Sequence, residues 1–252
     1  MTKKQLGNIL IIVISFIAVI GYIISKPILQ DDAYHQFSDT KTIFSIPNFW
    51  NVLSNLPFLI VGILGVYKVR NLKKLKLHSV IFYLGISLVA FGSGYYHLYP
   101  NSNTLLWDRL PMTIAFMALF ATVIAKFHTY TVGKNGLFPF IIIGLFSVFY
   151  WKFGEAEDLR FYAVVQFYPM LIIPILLYFF KKEKQQTAGY WYLLLAYLVA
   201  KLFEHFDAEI YQFLGFISGH SLKHIIAAFG LFVLLQFTDF EHKKITLKTR
   251  KN

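Results

Sequence analysis

Apolar runs of about 17 to 25 residues, each long enough to cross a bilayer as a helix, recur along this chain and dominate what it can fold into. Eight are read: 6–25, 49–69, 79–99, 104–127, 137–153, 161–180, 189–206 and 219–237. The fifth is short, and the seventh and eighth carry charges at their facing ends. In hydrocarbon every backbone donor and acceptor must be paired within the protein, which leaves helices and closed barrels. Continuous runs of this length select helices. The expected fold is all-α, a polytopic membrane helix bundle of eight helices. No soluble domain fits between the runs, and no internal repeat is evident.

Composition agrees with that reading. The chain is 57% hydrophobic, 19% aromatic and only 15% charged, which suits lipid-facing helices with aromatic belts at the interfaces. Its net charge of +11 reads as a cytoplasmic excess of Lys and Arg, and no nucleic-acid partner is expected. There is no cysteine, which excludes disulfides and thiolate chemistry, so any metal must be held by His, Asp, Glu or backbone groups. Lys3 and Lys4 precede the first run, but that run is longer than a signal-peptide core and lacks a small-x-small cleavage site. A retained helix is expected, forming an N-terminal unit over 1–28.

Charge then sets an orientation. With the N-terminus in the cytoplasm and the runs alternating, the inside segments hold Lys3, Lys4, the basic cluster 68–76, Lys126, Lys134, Lys181, Lys182, Lys184 and the tail after Phe240. The outside segments hold most of the acids, including Asp31, Asp32, Asp39, Glu155, Glu157 and Asp158. Every inside loop is basic, as the positive-inside rule requires. Both termini are thus expected in the cytoplasm. His78, His128 and His242 fall on that face and are expected to be solvated.

Ionisable groups within membrane helices are costly and mark function or a paired structural site. Four groups of polar residues stand out: Gly92-Ser93-Gly94-Tyr95-Tyr96-His97, Leu106-Trp107-Asp108-Arg109-Leu110-Pro111-Met112, Glu204-His205-Phe206-Asp207, and Gly219-His220-Ser221-Leu222-Lys223-His224. The orientation places all four at the outer, non-cytoplasmic face and at similar depth, although the charge count did not require it. His220 and His224 are four residues apart, so a helix sets both rings on one side. With His97 as a third imidazole they make a three-His zinc site with an open fourth position. Ser93 lies one turn before His97, and Asp108 opens the next helix. A metal-activated water, a carboxylate base and a hydroxyl donor are the parts of a metal-assisted hydrolase. The same groups would also serve a transporter's proton relay or a receptor's polar pocket. Lys201 can meet Glu204 and His205 across one turn, Asp207 can support the site as a neighbouring carboxylate, and Lys223 is expected to point away from the histidines. Pro169 and Pro174 are expected to kink the sixth run.

These residues resemble the signature of the alkaline ceramidase family, within the wider CREST superfamily of membrane hydrolases. The likeness begins at Asn48-Phe49-Trp50-Asn51-Val52-Leu53-Ser54-Asn55. It continues through Gly-Ser-x-x-x-His at 92–97 and Leu-x-Asp-x-Leu-Pro-Met at 106–112, and ends with His-x-x-x-His at 220–224. The resemblance implies a seven-helix ceramidase-like core, here over 29–240, with the first helix an addition and 241–252 a basic tail. It implies Zn2+ on His97, His220 and His224, Ser93 and Asp108 at the reaction centre, and Ser54 and Asp207 in support. The implied reaction is hydrolysis of a ceramide amide to a sphingoid base and a fatty acid. Family members often carry an acidic Ca2+-binding segment before the first motif. Its candidates here are Asp31, Asp32, Asp39 and Asn48, although Asn48 stands where the family tends to have Glu. The usual Glu after the catalytic Asp is Arg109. The superfamily also holds lipid-sensing receptors and other lipid acyl hydrolases, which are the alternative readings.

Overall fold

A computed structural model describes residues 1–154, 157–181 and 187–249, with side chains through Phe237. Glu155, Lys182, Lys184 and the side chains of the tail, His242 among them, lie outside the described residues. The described residues form helices, turns and loops, with a single isolated bridge between Ile43 and Ile46. The protein is an all-α, polytopic membrane bundle. Among the described residues, seven spans are long and apolar enough to cross a membrane, including the N-terminal one.

Helix α1 (Lys3–Ile24) starts at a capping box in which Thr2 and Gln5 exchange hydrogen bonds. Such reciprocal bonds satisfy two of the donors that a helix start leaves free. Its outer face, with Ile12, Phe16 and Ile20, is exposed, as suits lipid contact. The helix attaches to α7 (Arg160–Phe179): Gly7 lies against Phe179 and Phe180, and Ser15 Oγ meets Tyr168 OH at 2.7 Å.

The second expected run is interrupted. Residues 49–69 form a short α2 (Phe49–Leu53) and α3 (Leu56–Val69), broken at Ser54 and Asn55. The cause is local polarity. Ser54 Oγ and Asn55 Nδ2 both donate to the Asn51 carbonyl, competing with the helical ladder, and Pro57 at the start of α3 has no donor to offer.

Helices α4 (Lys76–Leu98) and α5 (Ser102–Phe127) form a tight hairpin. Asn101 caps α5 by accepting from the Asn103 and Thr104 amides. A Cβ on Gly92 would overlap the Trp107 carbonyl, so glycine there allows the two backbones to meet beside Ser93. Helix α5 is the most buried span and packs on α4, α6 and α7. Helix α6 (Tyr130–Phe153) starts well before the expected residue 137. The expectation followed hydropathy, which Thr131, Lys134 and Asn135 depress, although the helix runs on through them.

Helix α8 (Ala188–His205) is not among the seven apolar spans. Lys201, Glu204 and His205 occupy its last two turns and lower its hydropathy. An unexpected helix α9 (Asp207–Leu214) follows, ending at Gly215 with φ +75°, a left-handed stop that glycine adopts without strain. Helix α10 (Gly219–Thr249) continues past the end of the apolar run. It packs on α8 and also meets α2 and α3.

Candidate metal centre

The last turn of α4 and the first two turns of α10 bring three imidazoles together. Ring centroids lie 4.9 Å apart for His97–His220, 5.1 Å for His97–His224 and 5.2 Å for His220–His224. One nitrogen from each lies within 4.8 Å of the others. The rings are buried, at 1%, 7% and 7% exposure. Ser54 Oγ hydrogen-bonds His224 Nδ1 at 2.8 Å. That bond fixes the ring's rotation and leaves Nε2 for the cluster. His97 Nδ1 and His220 Nε2 are buried with no hydrogen-bond partner.

A buried polar atom left unpaired costs about 1–3 kcal/mol, so unpaired nitrogens on two neighbouring rings call for a partner. A divalent cation with nitrogen preference satisfies them, and three neutral imidazoles suit zinc. The residues present fit the metal that the resemblance implied.

The backbone around the cluster is held from several directions. Asp207 accepts from the His220 amide at 2.6 Å and from the Ser38 amide at 3.1 Å. Asn48 Nδ2 donates to the His97 carbonyl at 2.8 Å. Asn51 accepts from the Ser221 hydroxyl at 2.7 Å and donates to the Asp39 carbonyl at 2.9 Å. The loop ahead of α2 roofs the site: the Phe37 ring lies 4.7 Å from both the His97 and His220 rings. Phe37, Asn51 and Ser221 were not anticipated as parts of the site. Asn51 and Ser221 are 170 residues apart, and nothing in either local pattern announces the other.

Ser93 and Asp108 lie beside one another. Both line a cavity of about 390 Å³ that His224 also reaches. From that polar end the cavity extends along apolar side chains, among them Phe82, Leu119, Ile173 and Leu231. Lys201 and Lys223 each pair with Glu204 at 2.5 Å. Lys223 therefore turns towards α8 rather than the histidines, yet it still lines the cavity, as do Lys201, Glu204 and Arg109.

The acidic segment is arranged differently. Asp31 caps the 3-10 turn Asp32–His35 by accepting from the Ala33 amide. Asp39 is buried, accepts from the Lys41 amide and leaves Oδ2 unpaired, while Asn48 is spent on His97. Ca2+ takes six to eight oxygen ligands. Among the described residues, the group of three or more His, Asp or Glu able to share an ion is the histidine trio, and Asp31, Asp32 and Asp39 form no such group.

One further expectation needs correction. His78 is buried and donates Nε2–H to the Gly133 carbonyl at 3.2 Å. His128 meets Asn8 and Thr129. His78 is not solvated, because the start of α6 brings it a polar partner that a linear reading does not place, whereas His128 is exposed as expected.

Comparison with curated protein sequences gives no match. The family model described as Ceramidase matches residues 38–251, and the chain belongs to that family.

Proposed function

We propose that this protein is a zinc-dependent intramembrane amidase that cleaves ceramide-like lipids to a sphingoid base and a fatty acid. Family membership implies an amide-bond hydrolase with a lipid substrate. The observation that carries the finer reading is the junction of two features. Three buried imidazoles with unpaired nitrogens sit beside a Ser93–Asp108 pair at the polar end of a long apolar cavity. An amphiphile fits that shape, with its chain among the apolar side chains and its amide at the polar end. Helix α8 packs on α10 and not closely on α7, and both α7 and α8 line the cavity, which favours access from the side.

His97, His220 and His224 would hold the ion, which when bound supplies Lewis-acid chemistry that polarises a carbonyl and acidifies a water. Asp108 accepts the proton lost as a water oxygen bonds to the amide carbon. It returns that proton to the amine nitrogen as the C–N bond breaks. Ser93 orients Asp108 and offers a donor to the carbonyl oxygen as negative charge develops there. Buried apolar walls keep bulk water from the chain-binding region.

The basic inside segments support a topology with both termini in the cytoplasm and the histidine centre towards the non-cytoplasmic face. The deciding experiment measures metal content together with fatty-acid release from a panel of ceramides and glycerolipids. Stoichiometric zinc with release from ceramides is expected. A lipid-sensing receptor would release no acid, a glycerolipid hydrolase would release acid from the other half of the panel, and a proton relay would carry no zinc.

A further inference from the structure

Arg109 is 6% exposed and lies on α5 immediately after Asp108. Its guanidinium carbon lies 4.0 Å from the Trp151 ring, 4.7 Å from the Tyr162 ring and 5.8 Å from the Tyr34 ring. One nitrogen donates to Gln30 Oε1 at 2.7 Å. The other, Nη1, is buried without a partner, and so is the neighbouring Trp151 Nε1. No carboxylate forms an ion pair with Arg109 among the described residues.

This arrangement holds a full positive charge in a buried place. Aromatic faces offset part of its desolvation, but a buried charge with an open donor remains costly until an acceptor meets it. The surroundings add to the demand. Arg109, Lys201 and Lys223 face the same cavity as Asp108 and Glu204: three cations to two anions. Glu204 already serves both lysines, and Asp108 forms no ion pair with Arg109 among the described residues. The hydroxyl-bearing rings of Tyr34, Tyr162 and Tyr197 line the same region. The set is rich in donors and positive in charge, and it lies next to the proposed reaction centre rather than within the histidine cluster.

We infer that Arg109 is a specificity residue centring an oxyanion subsite, which takes a long-chain amphiphile bearing an acidic group. The inference rests on the amidase reading for its position beside the scissile bond, but not for the binding itself. The acidic group has two sources with one chemistry: the carboxylate of the released fatty acid, or an acidic substituent on the amine half of the substrate. A guanidinium matches either through charge-assisted hydrogen bonds.

The test begins with binding of palmitate and of hexadecanol to purified full-length protein in detergent. Palmitate is expected to bind at least about tenfold more tightly, the scale of one charge-assisted contact. Arg109→Gln should erase that ratio, and Arg109→Lys should restore part of it. Unliganded melting temperatures of both variants show whether they fold. A merely structural arginine would lower the melting temperature and leave the ratio alone. Equal binding of the two ligands by the wild type, or a ratio that survives in folded Arg109→Gln, overturns the subsite. A second arm compares hydrolysis of N-palmitoylserine with that of N-palmitoylserinol, which differ by one carboxylate. Faster cleavage of the acid assigns the subsite to the substrate's amine half, and equal cleavage assigns it to the product acid. Palmitate preference without cleavage of any amide leaves the subsite standing and removes the amidase reading.

Discussion

The histidines of the two ends of the bundle are placed in opposite ways. At one end His78 and His128 are each satisfied by a nearby polar group, Gly133 for the first and Asn8 and Thr129 for the second. At the other end three imidazoles face one another, and two of their nitrogens find no partner. Burial alone does not decide the matter: His128 is exposed, but His78, at 4% exposure, is as buried as His220 at 7%. What separates them is whether the protein supplies the last hydrogen bond. Where it does, the histidine ties helices together; where it withholds the bond from several rings at once, the site is built for something that arrives.

That contrast can be broken by substitution. His220→Ala should have the largest effect, abolishing both bound zinc and fatty-acid release; a variant that still carries stoichiometric zinc would remove His220 from the ligand set. Asp108→Asn should leave zinc in place and lower turnover by about 10²–10⁴-fold, the usual range for a general acid–base group. Metal analysis beside single-turnover rates checks this, and undiminished turnover rejects the role. Ser54→Ala frees the His224 ring and should weaken zinc by roughly 10–100-fold, as loss of a ligand's supporting hydrogen bond does. Competition with a chelator measures it. His78→Ala sharpens the comparison from the other side. It removes the second hydrogen bond to the Gly133 carbonyl, worth about 0.5–1.5 kcal/mol in stability, while metal content should stay at the wild-type level.

The smallest effect concerns the attachment of α1. Asp158 accepts from the Ile28 amide and pairs with Arg160, which in turn donates to the Tyr22 and Ser25 carbonyls. The Arg160 side chain holds the Asp158 carboxyl below the ordinary aspartate range. A group depressed in this way stabilises the folded state fully above its unfolded pKa and loses that contribution as the pH falls through the folded one. Protection factors of the amides at residues 22–28, taken relative to intrinsic exchange at each pH, should therefore fall on acidification, and Asp158→Asn should make them low and independent of pH. Protection that ignores both changes would show that the packing of Gly7 and the Ser15–Tyr168 hydrogen bond hold α1 by themselves.

Much of this was legible in the sequence, and the omissions share a cause. The bilayer-length runs revealed the helices because the hydrophobic requirement is local and cumulative. His220 and His224 could be paired because four residues set two side chains on one helical face. The break at Ser54 and Asn55, the early start of α6 and the existence of α9 were missed. Each depends on polar side chains and backbone groups competing over a few residues, below the scale of a spanning window. The roof provided by Phe37 and the tie between Asn51 and Ser221 were invisible for a different reason: they join segments distant in the chain. Asp31 and Asp39 show a further local effect, since the first accepts from the Ala33 amide in an Asx turn and the second from the Lys41 amide.

Asp207 carries a practical consequence for anyone rebuilding this protein. Its two oxygens grip Ser38 in the roof and His220 at the start of α10, so the loop and one imidazole are indexed to the same carboxylate. Grafting a foreign loop over residues 30–48 without preserving that grip would retune the spacing of the nitrogens. For chimeras and directed libraries the two regions form one inherited cassette, and recombination points belong outside it.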